Sequence, residues 1–157
     1  MKKMNNKGFS LVELIVVVLI MAIIAVALAP QVMKWVENSR KSTDIENYNA
    51  LKEAANVAST NETYLKALGA TGTTTISMAA SGTTTSGTAT TELEAILTDT
   101  LPGWATTKIT GAWSGEQVDT PSGTVSFNAS DKFIVTIKKS TNGILVEKTK
   151  APRKNFS

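Results

Sequence analysis

"KGFSLVE" at residues 7–13 and "LIVVVLIMAIIAVALAPQVM" at residues 14–33 decide the architecture of this chain. The second stretch is twenty uncharged residues long, mostly Val, Ile, Leu, Ala and Met. A helix crossing the hydrocarbon core of a bilayer needs about 20 such residues, so residues 14–33 are long enough to span. Between residues 8 and 33 the one ionisable side chain is Glu13. A lone carboxylate in hydrocarbon costs about 3 kcal/mol on insertion scales, so Glu13 must be protonated, paired, or drawn to the interface. Lys2, Lys3 and Lys7 all precede the apolar run. They read as the positive flank that stays cytoplasmic, which leaves residues 34–157 outside.

The remaining composition excludes much. The formal charge is +3, but the three leading lysines account for it: from residue 8 onward thirteen Lys or Arg face thirteen Asp or Glu. A nucleic-acid partner therefore has no electrostatic footprint. There is no Cys and no His, which removes disulfides, thiolate nucleophiles, Ser–His chemistry and imidazole metal ligands. No Gly-rich phosphate loop is present. No cofactor, metal site or catalytic residue is expected. A secretory signal peptide shares the basic-then-apolar layout, and Ala27-Leu28-Ala29 supplies a small-x-small site. Against it, Glu13 would interrupt the apolar region and Pro30 would follow the cut, where its fixed geometry hinders an extended substrate.

Lys7-Gly8-Phe9-Ser10-Leu11-Val12-Glu13, followed by an apolar helix with Pro30 in its later part, resembles the class III leader of type IV pilins and related pseudopilins. The likeness covers roughly residues 1–35. It implies a prepilin leader at residues 1–8, cleaved after Gly8 by a membrane-embedded prepilin peptidase that then methylates the new amine of Phe9. It also gives Glu13 a partner, the positive amine of Phe9 on a neighbouring subunit. Within one helix the two groups point in different directions. The alternative for Glu13 is snorkelling to the cytoplasmic interface. Pro30 removes one helical hydrogen bond and is expected to bend the helix near Val26. Residues 9–58 contain no Gly, a departure from a common family pattern. The absence of Cys is another, since many pilins close a carboxyl-terminal loop with a disulfide; it fits a thick-walled host of the Gram-positive type, or an anaerobic one.

The expected fold class is α+β, the type IV pilin fold, in which a long amino-terminal helix packs on a carboxyl-terminal antiparallel sheet. Residues 9–33 form the hydrophobic transmembrane or filament-core helix and residues 34–157 the head. Residues 34–58 contain neither Gly nor Pro, and Ile45, Tyr48, Leu51, Ala55 and Ala58 form an apolar stripe. Lys34, Glu37, Arg40, Lys41, Asp44, Glu46, Lys52 and Glu53 read as solvated faces. One helix from Phe9 to about Ala58 would be roughly 75 Å long.

Residues 59–103 are expected to be the connecting region. A short helix at residues 62–68 is capped by Asn61 and stopped by Gly69. Residues 70–91 are Ala, Gly, Ser or Thr at twenty of twenty-two positions. They read as a surface loop, a candidate for O-linked sugars, with at most an edge strand near residues 74–78. A helix at residues 91–101 ends at Pro102-Gly103. Strands are expected at residues 104–113, 124–128, 132–139 and 144–148, with Asn142-Gly143 turning the last hairpin. Trp104, Trp113 and Phe127 read as core or rim aromatics. Glu116, Asp119 and Asp131 are the loop carboxylates nearest to a calcium site, without a dense ligand pattern. Asn61-Glu62-Thr63 and Asn128-Ala129-Ser130 match the N-glycosylation triplet by chance, and residues 148–157 form a solvated basic tail.

The resemblance implies a structural protein, a major pilin. It begins as a single-pass subunit in the cytoplasmic membrane and ends in a homo-oligomeric helical filament on the cell surface. An assembly ATPase and an inner-membrane platform protein are the implied partners; adhesion, motility or biofilm formation are the implied roles. A type II secretion pseudopilin, a minor or competence pilin, and an uncleaved membrane-anchored binding module are the alternatives.

Overall fold

The structure is a computed structural model, and residues 9–153 are described. The chain divides into two compact units, Met1–Val36 and Glu37–Ser157. One helix, α1 (Leu11–Thr60), contributes to both. Its 50 residues contain no Gly, and Pro30 lies inside it, so nothing in the sequence supplies a stop before the short polar run that ends at Asn61. In the first unit all residues from 9 to 36 are exposed.

The second unit is a helix-on-sheet layer. Along α1 the side chains of Tyr48, Leu51, Ala54, Ala55 and Ala58 are buried, the stripe expected from the three-to-four residue spacing. Ile45 is half-buried at its edge. The six strands are β1 (Thr73–Ala79), β2 (Gly82–Gly87), β3 (Gln117–Thr120), β4 (Gly123–Ser126), β5 (Phe133–Ser140) and β6 (Gly143–Pro152). They form one antiparallel sheet in the order β2-β1-β5-β6-β3-β4. On β5, Phe133, Val135 and Ile137 face the core and are at most 1 % exposed, as the alternation predicts. Phe133 is the aromatic hub: its ring centroid lies 6.1 Å from Tyr48, 5.1 Å from Trp113 and 4.8 Å from Phe127. Trp104, Trp113 and Phe127 are all buried, as expected for core aromatics.

Two short helices complete the unit. In α2 (Glu62–Leu68), the Asn61 carboxamide oxygen accepts the Tyr64 N–H at 3.1 Å, and Gly69 ends the helix at a positive φ of 71°. The helix α3 (Thr90–Thr100) buries Leu93 and Leu97.

Four expectations need correction. The Thr-rich stretch is not a loop: residues 73–87 form the hairpin β1–β2, and β1 also pairs along its length with β5. Thr74, Ile76 and Met78 point inward and are buried; Thr is a good strand former, and β5 supplies the partner that composition alone could not show. Residues 104–113 are not a strand but a 3-10 turn (Trp104–Thr106) followed by irregular chain. Its backbone donors go instead to Ala79 O and to carboxylates of α1. The strand β3 was not expected at all; it has four residues and buries only Val118. The basic tail is not solvated from residue 148, since β6 continues to Pro152 and buries Ala151.

Candidate assembly site

The first unit presents a helix without a hydrophilic side. In α1 the most apolar 18-residue window has a mean hydropathy of 3.2, none of it is buried, and the helix is long enough to cross a membrane. Phe9 is 85 % exposed. Gly8, the residue before the expected cut, lies outside the described residues, as do Lys2, Lys3 and Lys7. Pro30 sits inside α1 and is exposed.

Glu13 closes the amino-terminal turn of its own helix. Its Oε2 accepts the backbone N–H of Ser10 at 3.0 Å, and Leu14 N–H donates to Ser10 O at 3.2 Å. This is half of a capping box, in which a Glu at the third helical position takes an otherwise orphaned N–H at the helix start. Sequence reasoning missed Ser10, although S-x-x-E was visible at residues 10–13. A carboxylate accepts at both oxygens, so the cap uses Oε2 and leaves Oε1 for a second donor.

The second unit holds a different charged group. Asp44 of α1 is 0 % exposed. Its Oδ1 accepts from Thr110 N at 2.8 Å and Thr110 Oγ1 at 2.9 Å; its Oδ2 accepts from Gly111 N at 2.8 Å and Trp113 Nε1 at 2.7 Å. One turn earlier Lys41, also buried, donates to Glu116 Oε1 at 2.5 Å and lies 5.8 Å from the Trp113 ring. Glu37 accepts the Ala112 N–H. Three consecutive turns of α1 thus grip residues 110–116. Gly111 permits the approach, because a Cβ there would lie 2.8 Å from Lys41 Cγ and 3.1 Å from Asp44 Oδ2. Lys41 and Asp44 were expected on a solvated face; they are buried because the helical stripe that includes Tyr48 and Leu51 continues through them with polar partners in place of apolar ones.

The loop carboxylates do not converge. Glu116 pairs with Lys41, Asp119 with Arg153 at 3.0 Å, and Asp131 with Lys150 at 2.7 Å. Among the described residues no group of three or more candidate metal ligands occurs. Lys150 and the Asn128 N–H hold the Asp131 carboxyl below the usual carboxylate range. Burial raises the Tyr48 and Tyr64 hydroxyls, with Thr74 opposing the shift at Tyr64. None of these groups is arranged with a nucleophile or oxyanion donor around a shared reacting position.

The family model of the prokaryotic N-terminal methylation motif matches residues 3–29. That motif implies processing by a prepilin peptidase, and it supports a type IV pilin-like or pseudopilin protein. With the long apolar helix, it fits a type IV pilin-like protein. Membrane anchoring before assembly into a surface filament is consistent with both observations. No curated protein and no solved structure matches the chain.

Proposed function

We propose that this chain is a structural subunit, the major pilin, of a type IV pilus, and not an enzyme. Prepilin peptidase cuts between Gly8 and Phe9 and methylates the Phe9 amine. The subunit waits as a single-pass membrane protein of residues 9–33 with the head of residues 34–157 outside. The observation that carries this reading is the exposed apolar stretch of α1 at residues 11–33, in which the one acid, Glu13, stands beside the future chain end.

The geometry supports a division of labour at Glu13. In the single subunit Oε2 holds Ser10 N–H. On assembly Oε1 takes the Phe9 amine of a neighbouring copy. The attraction between such charges at low dielectric reaches several kcal/mol but is largely offset by desolvation, so the contact sets axial register more than it adds stability. Burial of apolar helix faces away from water supplies about 25 cal/mol per Å². During extraction from lipid that gain shrinks, because lipid is already apolar. An assembly ATPase acting through a platform protein in the inner membrane must therefore drive extraction. Pro30 gives α1 a bend that suits a bundle.

The test is competition. Wild-type and Glu13→Val chains are expressed together, and their ratio is compared between membranes and sheared filaments. A register contact worth about 1.4 kcal/mol depletes the variant tenfold in filaments. Equal ratios in the two fractions defeat the assigned role of Glu13.

A further inference from the structure

The second unit leaves an apolar groove with an acidic rim. Val57 and Asn61 near the end of α1, with Thr63, face Ala95, Ile96 and Asp99 of α3 across a cavity of about 390 Å³. Val57 is 44 % exposed despite its apolar side chain. Glu92 also lines the groove, and α3 carries Glu92, Glu94 and Asp99 but no Lys or Arg. Among the described residues, neither Glu92 nor Asp99 forms an ion pair. The volume lies near the lower limit of ligand pockets, which run from about 300 to 1,000 Å³. That suits one large apolar side chain.

The chain itself contains a complementary segment. Residues 153–157 read Arg-Lys-Asn-Phe-Ser, two cations and one aromatic; residues 154–157 lie outside the described residues. The segment follows β6, whose last residue, Pro152, pairs with Val118. Its own groove is out of reach. Gly143 at the start of β6 lies opposite Ser140, and Lys150 lies opposite Ile134. Lys139 Nζ donates to Leu65 O at 2.8 Å, placing α2 and the groove at the Ser140 end. Tyr48 Oη donates to Ile134 O at 3.3 Å, placing the middle of the helix at the end where the tail leaves. The ten residues from Gly143 to Pro152 span about 30 Å, whereas residues 153–157 reach at most about 17 Å. A segment and a receptor at opposite ends of one body make a heterologous contact, which propagates into an open polymer instead of closing a dimer.

We propose that Phe156 of one copy seats in the groove between α1 and α3 of the next copy. Lys154 faces Glu92 and Asp99, while Arg153 stays on Asp119 of its own chain. This adds an axial contact between the globular units of successive copies to the helix core, and it rests on the filament reading above.

The full chain lacks Cys, so an Ala95→Cys/Ser157→Cys double variant, which keeps Phe156, tests the contact without background. Cells assembling it are treated with a short bis-maleimide, and both sheared filaments and membranes are analysed by denaturing electrophoresis. A ladder of multimers is expected from the double variant and none from either single variant. Adding Lys154→Glu should abolish the ladder, and adding Asp99→Lys to that variant should restore it. A product limited to dimers, a fast-migrating monomer, or no cross-link in filaments that are present would overturn the proposal. If the wild-type chain forms no filaments, the filament reading fails by itself; the membrane fraction then decides the contact, with a ladder supporting it and its absence overturning it.

Discussion

Replacing Asp44 by Ala is the sharpest perturbation of the head. The carboxylate is fully buried and accepts four hydrogen bonds at 2.7 to 2.9 Å, from two backbone N–H groups, the Thr110 hydroxyl and the Trp113 indole. Hydrogen bonds to a charged group contribute about 1.5–3 kcal/mol each, and an orphaned buried donor costs about 1–3 kcal/mol. Such terms are not additive, and the Thr110 hydroxyl can rotate toward another acceptor. The net cost should therefore lie near that of breaking a buried polar network, about 3–5 kcal/mol. Against a typical stability of about 5–15 kcal/mol this is a large fraction. For a unit of this size it lowers Tm by more than about 10 °C. Thermal unfolding of the full chain in detergent, followed by tryptophan fluorescence and near-ultraviolet circular dichroism, measures it. Early proteolysis within residues 107–116 should accompany the shift, because that segment loses its grip on α1. Asp44→Asn should fall between the two, since its amide keeps one acceptor oxygen and turns a donor toward other donors. A loss below about 1 kcal/mol for Asp44→Ala, with unchanged cleavage, would show that the contacts with residues 110–113 contribute nothing and refute the reasoning.

Two further outcomes follow from named residues. Ile76 is 1 % exposed on β1, so Ile76→Ala should cost about 2–5 kcal/mol; as a surface loop position it would cost under about 0.5 kcal/mol, and denaturant unfolding of the full chain separates the two. Lys150 and Asn128 N–H depress the folded pKa of Asp131, so this group stabilises the fold fully above its unfolded value of about 3.9 and loses that contribution as pH falls through the lower folded value. Lys150→Met should flatten that acid limb, seen as a smaller drop in Tm between about pH 6 and pH 3.

What the sequence disclosed, and what it hid, follows from the range of the interactions. α2, α3 and the β5–β6 hairpin were legible because their signals are local: Asn61 and Gly69 as caps, Pro102-Gly103 as a stop, strict alternation at residues 133–138, and Asn142-Gly143 as the turn. The hairpin at residues 73–87 was obscured because its few large apolar residues, Ile76 and Met78, gain their burial from β5, more than fifty residues away. Residues 107–113 looked like a strand by composition, yet the carboxylates of Glu37 and Asp44 claim the donors a strand would have used. At Lys41 and Asp44, charge masked the helical period. Their spacing to Tyr48 placed them on the buried stripe, but the sequence gives no sign that Thr110, Trp113 and Glu116 wait there to satisfy them. Glu13 was legible as an anomaly at once, while its bond to Ser10 required the S-x-x-E spacing to be read inside an apolar run.

The central claim is that proteolysis after Gly8 creates the cationic chain end that makes Glu13 tolerable in an apolar core. Mass analysis of the amino-terminal peptide from sheared surface filaments tests it most directly. The account predicts a chain that starts at Phe9 and carries one added methyl group. A peptide beginning at Met1, or a mature end blocked so that the amine holds no charge, would contradict it.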